Sequence, residues 1–389
     1  MSESINSVKL VKYTLMHKDI PVLNMTLVDK SGSILDIHEI FNKDHLPIGT
    51  VRYGELDTDL LSEWWDQRSI PASRKNIESF LARINLPNTK YLLTKSMGLS
   101  LSDQYWIRNV DSDLSWSEVN FFENDFSEDI GNLLFGHVHA SAFNPMSPDN
   151  TVDGVLKKRW KIIDGKRCLM KACRNMSSYE SYNEIIASMI CDVLKIPHVD
   201  YRLQKTEYDT LCICEDFIDS KTELVSAVSI INSYSSPTPI SKYHTYVNAC
   251  RQLGYNVVSD LDRMIVLDYI MENYDRHFRN FGLIRDAESL EILSSAPIFD
   301  TGSSLRCNVE PERFWEVENP SWPFEGRFDD QLKLVSSFDW IDFHKLYSVL
   351  DGVEALLSGT KLDKDGVADS IVELLDERIT KLRTFVQSK

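Results

Sequence analysis

Asp275 and Asn280 stand five residues apart in "NYDRHFRNFGL", and Asp300 follows in "APIFDTGSSL". Phosphoryl transfer needs these three residue types. One carboxylate orients the attacking hydroxyl or takes its proton, an amide helps hold Mg2+, and a second carboxylate bridges the metal to the nucleotide phosphates. In protein kinases the base Asp and the metal Asn also lie five apart, on a loop after a long helix. Alone, D-x-x-x-x-N describes any solvated turn at a helix end, so its surroundings have to carry the reading. Asp-Thr-Gly-Ser-Ser is also how pepsin-like proteases present one of two catalytic carboxylates, which share a proton. A second such turn is missing, because "VDGV", "LDGV" and "KDGV" lack the Thr or Ser between Asp and Gly. Single-copy enzymes of that kind are small all-β chains, and the helical patterns here exclude them.

The elements around the three residues fit the first chemistry. From Ser259, a plausible N-cap, Leu261, Met264, Ile265, Leu267, Ile270 and Met271 give a helix with a broad apolar face, ending near Asn273. "FGLIRD" and "LEILSSAPIF" then form a hairpin that delivers Asp300. Upstream, Asp164-Gly165 is a favoured tight-turn pair inside the hairpin "RWKIIDGKRCLMKA". Lys171 alternates onto the face of Leu169 and Cys173, an unusual place for a solvated lysine and a suitable one for gripping phosphates. "YESYNEIIASMICDVLKIP" reads as a helix before Pro197. Glu184 lies away from its main apolar stripe, but Ala187 and Cys191 make that side small and non-polar. The strand "YDTLCICEDFID" would connect two lobes, with backbone groups around Glu215 to Phe217 meeting an adenine edge.

"NYDRHFRNFGL" followed by "APIFDTGSSL" resembles the C-terminal signature of HipA-like serine/threonine kinases, D-x-H-x-x-N and then P-x-[FY]-D-x-x-S. The kinase-like pattern runs from about residue 145 to about residue 350. The resemblance implies ATP and Mg2+ as cofactors, Asp275 as base, Asn280 and Asp300 as metal ligands, and His277 as a loop-shaping residue. It places the helix acid at Glu184, with Glu180 as the alternative. It also implies a phosphate loop in "SPDNTVDGVLKKRW", where Gly154 and Lys158 align. Thr151, with Ser147 as its neighbour, falls where such kinases phosphorylate their own loop. This loop departs from the family pattern in carrying one glycine instead of a glycine-rich or small-residue cradle. Family members often act as toxins paired with a small DNA-binding antitoxin, so the resemblance implies a separate antitoxin-like partner beside a protein substrate.

With 389 residues the chain exceeds a single typical core, and two or three packed units are expected. Strands first and helices later give an α+β class. The expected architecture is a two-lobed protein-kinase-like fold: an N-terminal α+β subdomain at 1–140, a strand-rich N-lobe at 141–218 and a helical C-lobe at 219–389. The net charge of −17 argues against direct binding of nucleic acid, and the basic run "KKRWK" at 157–161 reads as a solvated edge. Without an apolar run of membrane-spanning length or a secretory signal, the expected location is cytoplasmic. Seven scattered cysteines, Cys212 and Cys214 the one close pair, fit reduced thiols in a core. His137 and His139 read as loop histidines. Two rival functions use the same residues: a small-molecule phosphotransferase, and a catalytically inactive kinase fold kept for binding.

Overall fold

The chain folds as a mixed α and β protein, as its patterning requires. The computed structural model describes residues 9–71, 74, 77–135, 143–154, 156–174, 178–206, 210–236 and 238–389; His137 and His139 lie outside them. Two compact units each gather three stretches of chain. The first comprises 1–170, 218–235 and 284–293; the second comprises 171–217, 236–283 and 294–389.

The first unit is built on an antiparallel sheet of four strands, in the order Ile34–Ile40, Ile20–Val28, Leu10–His17, Tyr105–Asn109. Leu15, Leu23, Met25, Leu27 and Ile107 from these strands pack with Leu61 and Trp65 of the helix Thr58–Gln67. Ile70, Ile77, Phe80, Leu92 and Ile130 form a second cluster. A buried ion network draws in the two later stretches. Glu223 lies 3.1 Å from His17 Nε2 and pairs with Arg285, whose Nη2 donates to the Tyr105 hydroxyl at 2.9 Å. Burial would raise the Glu223 carboxyl, but Arg285 and His17 hold it down at about 2. The expected hairpin joins Lys158–Ile163 to Lys166–Ala172, with Asp164 at φ +51° and Gly165 at φ +77°, both in the left-handed region that its two-residue turn needs.

The second unit is mostly helical. The helix Glu180–Leu194 packs on Phe343–Leu357, which packs on Val367–Ser388; the latter also meets Val258–Met271. Tyr201–Lys205 and Thr210–Glu215 form an antiparallel pair. All seven cysteines are buried, and none is in a disulfide. Among the described residues no helix is long and apolar enough to cross a membrane.

The helix expected to follow a Ser259 cap starts two residues earlier, at Val258, with Val257 in the cap position. Val257 is buried and already has helical dihedrals, so burial of this side chain sets the start instead of a hydroxyl cap.

Candidate active site

The second unit brings Lys171, Glu184 and Asp300 together. Lys171 Nζ donates to Glu184 Oε1 and to Asp300 Oδ1, both at 2.9 Å, and to the Tyr201 hydroxyl at 3.1 Å. Lys171 is 4% exposed and Glu184 2%; the Asp300 side chain keeps 24% exposure. Burial alone would push the Lys171 ammonium down in pKa. Asp300 and Glu184 outweigh it and hold the group charged well above the ordinary lysine range. The second oxygen of Glu184 accepts the Thr301 N–H at 3.0 Å, so one carboxylate binds both the lysine and the backbone beside Asp300. Asp300 stands at φ +58°, in the left-handed region, and its N–H donates to the Tyr201 hydroxyl at 3.3 Å.

The segment after Asp300 packs onto the helix that carries Glu184. A Cβ on Gly302 would lie 3.0 Å from the Glu180 carbonyl oxygen and 3.4 Å from Glu184 Cγ, so its small size permits that approach. Asn183, fully buried, donates to the carbonyls of Gly302 and Ser304 at 2.9 and 2.7 Å.

Asp275 and Asn280 lie on the loop after Val258–Met271. That helix stops at Glu272, which takes φ +46° and pairs with Arg306 at 2.8 and 3.0 Å. Arg276 organises the loop. Its guanidinium makes a two-pronged pair with Asp268 in the preceding helix, both bonds 2.9 Å. One of its nitrogens also donates to the carbonyls of Asn280, at 3.1 Å, and Phe299, at 2.6 Å; another reaches Thr301 Oγ1 at 3.1 Å. A single buried cation therefore holds the backbone of Asn280 and of the residue before Asp300. Burial disfavours its charge, and Asp268 more than compensates. Asp275 is exposed, the disposition a base facing an incoming hydroxyl needs. Its N–H donates to Asn273 Oδ1 at 3.1 Å, and Ser303 Oγ lies 3.5 Å from its carboxylate. His277 offers its carbonyl to the Asn280 N–H at 2.8 Å and Nδ1 to the Arg279 N–H at 3.3 Å.

The donor set suits Mg2+. Asp300 offers a carboxylate, and Asn280 commits its amide nitrogen to the Asp275 carbonyl at 3.3 Å, so its side-chain oxygen is the atom that could meet a cation. Both are the hard oxygen donors that this cation takes. Of the connector residues, Glu215 is exposed and Phe217 is half-buried, its ring 5.3 Å from that of Phe299.

Gly154, Lys158, Thr151 and Ser147 belong to the first unit. Gly154 stands at φ +91°, and a Cβ there would meet Lys158 Nζ at 2.9 Å. Arg74, from the N-terminal region, donates to the carbonyls of Val152 at 2.6 Å, Asp153 at 3.3 Å and Gly154 at 2.9 Å. Thr151 is half-buried and donates to the Pro148 carbonyl at 3.0 Å. Ser147 is fully buried and donates to Asp149 at 3.1 Å, so phosphorylation there would require the turn to open. Asp149 also accepts the Trp160 N–H at 2.6 Å, and a Cβ on Gly131 would sit 2.6 Å from its carboxylate. Complete burial pushes the Asp149 carboxyl up to about 7.

Tyr201, Asp268, Asn183, Arg276 and Arg74 escaped the sequence reading. Arg276 had a signal, its place between the Asp and His of D-x-H-x-x-N. The others sit at unremarkable positions, and only their partners distant in sequence reveal them.

A family model described as the HipA-like C-terminal domain matches residues 152–349, just over half of the chain. Among solved structures the chain is similar to the Helicobacter pylori proinflammatory kinase CtkA, at 20% identity and a TM-score of 0.44, over 58% of this chain and 90% of that one. It is also similar to HipA of the Shewanella oneidensis MR-1 toxin–antitoxin system, solved with HipB and operator DNA. That likeness covers 96% of this chain and 90% of the other, at 14% identity and a TM-score of 0.49. No curated protein matches.

Proposed function

This chain belongs to the HipA-like family, whose members are serine/threonine kinases, and from that premise we propose that it is an ATP- and Mg2+-dependent protein serine/threonine kinase. The observation that carries the proposal is the buried ammonium of Lys171, shared between Glu184 on a helix and Asp300 in the segment after the strand Ile292–Ser295. Unlike the buried Glu223–Arg285 pair, this one keeps a carboxylate, that of Asp300, partly open to solvent.

In this reading Lys171 steadies the nucleotide phosphates, and Glu184 fixes where the ammonium stands. Asn280 and Asp300 hold the metal, with Arg276 setting their backbones. Bound Mg2+ supplies charge neutralisation for the phosphate oxygens. Asp275 orients the acceptor hydroxyl and takes its proton as the new oxygen–phosphorus bond forms and the bond to ADP breaks. Thr151 is the candidate acceptor within the chain itself.

The test is the intact mass of the purified chain after incubation with Mg2+-ATP, run beside Asp275→Asn. Addition of one phosphoryl group by the parent, mapped to Thr151, is the expected result. The variant is expected to transfer about 10²–10⁴-fold more slowly while still binding Mg2+-ATP. An adenylyl adduct, or equal phosphorylation of the variant, overturns the mechanism. Without a mass change, failure to bind Mg2+-ATP would decide for an inactive binding fold.

A further inference from the structure

Where the helix carrying Glu184 gives way to the strand carrying Tyr201, three ligand-type side chains converge. Asp192 lies in the last turn of the helix, and His198 and Asp200 flank Val199 just beyond it. Carboxylate oxygens of Asp192 and Asp200 stand 3.7 and 3.5 Å from His198 Nε2. One ligand atom from each of the three residues lies within 4.8 Å of the other two. Those spacings exceed hydrogen-bond length, and Nε2, although shielded from solvent, makes no hydrogen bond.

The other ring nitrogen explains the orientation. His198 Nδ1 lies 2.9 Å from the Ile196 carbonyl oxygen. A carbonyl can only accept, so the Nδ1 proton is fixed by this bond, and Nε2 is the nitrogen left to a ligand in the neutral ring. A histidine anchored in this way at one nitrogen presents the other to a metal. The side chain is nine-tenths buried, at 10% exposure, so the ring is held in place. The Asp192 and Asp200 side chains are 70% and 96% exposed and can turn to close on an ion.

We propose that Asp192, His198 and Asp200 bind one divalent transition-metal ion, of which Zn2+ suits the set best. An imidazole nitrogen disfavours Mg2+ and Ca2+, whereas imidazole and carboxylate are both donor types that zinc takes, with a position left open for water. The ion ties the end of the Glu184 helix to the turn after it. The backbone of that turn is bonded to the segment leading into Asp300: Val199 N–H donates to the Ile298 carbonyl at 3.0 Å, and Ile298 N–H to that of Pro197 at 2.9 Å. Zinc thereby braces the two elements that supply Glu184 and Asp300 to Lys171.

Calorimetric titration of Zn2+ into the full chain, in nucleotide-free and chelator-treated buffer, tests the site without reference to catalysis. One equivalent is expected, and it should be lost in Asp192→Asn/Asp200→Asn. Both positions are exposed, so this variant should match the parent in metal-free melting temperature, while Zn2+ raises the melting temperature of the parent alone. Asp300→Asn is expected to keep the zinc equivalent. No binding by the parent would mean that His198 makes an ion pair and nothing more. Equal binding by the double variant, or loss of binding in Asp300→Asn, would place the zinc elsewhere and also overturn the proposal.

Discussion

Lys171 separates two carboxylates that would otherwise face each other in a poorly solvated place. Lys171→Met keeps the length of the side chain and removes its charge, leaving Glu184 buried without a cation. Breaking a buried pair from one side typically costs about 3–5 kcal/mol. Denaturant unfolding of the variant should show a loss of that order, together with loss of phosphoryl transfer; an unchanged midpoint would mean that the carboxylates have other partners. Asp149 makes the opposite kind of prediction. Its folded pKa, about 7, lies above its ordinary 3.8, so the fold favours the protonated form. The associated stability is complete below about pH 4 and is lost as pH rises through 7. Asp149→Asn keeps an oxygen for the Trp160 N–H and offers an N–H to Ser147 Oγ. From pH 4 to pH 8 the parent should lose about 4 kcal/mol relative to this variant; parallel stability profiles would refute the burial account.

At the level of elements, the helix Val258–Met271 and the loop after it act as one piece because Arg276 and Asp268 join them. Arg276→Ala strands the buried Asp268 carboxylate and should cost about 3–5 kcal/mol. Asp268→Leu/Arg276→Met removes both charges and should recover most of that stability without recovering transfer, since the Asn280 and Phe299 carbonyls still lack their donor. If activity returned with stability, Arg276 would be a packing residue only. The helix was legible in the sequence through its apolar spacing, and Lys171 through strand alternation that set it among apolar neighbours. Arg276 was not, because a loop has no periodicity and an arginine between two charged or polar residues looks solvated. The helix end falls within two residues of the expected Asn273, although its cap, Glu272, carries no mark in the sequence. Glu272 adopts the left-handed cap conformation that a glycine would have announced, and Arg306, not backbone freedom, keeps it there.

Across the whole molecule, what could be read in chain order was local, and what could not was long-range. Glu223 finds Arg285 62 residues on, and nothing in either neighbourhood marks the other. Arg74 is a sharper case, holding carbonyls 78–80 residues away. Arg74→Ala should cost about 2 kcal/mol and speed tryptic cleavage after the exposed Lys157; unchanged cleavage and melting temperature would show that the loop holds itself. The distance between Lys171 and Asp300, 129 residues, also sets a schedule. At the usual pace of protein synthesis the lysine is made roughly 6–26 s before its carboxylate partner exists. Asp275 and Asn280 are made late in that interval, and in the proposed mechanism neither they nor Lys171 can act before Asp300 joins them. The proposed kinase is therefore silent on the ribosome until most of it has been translated.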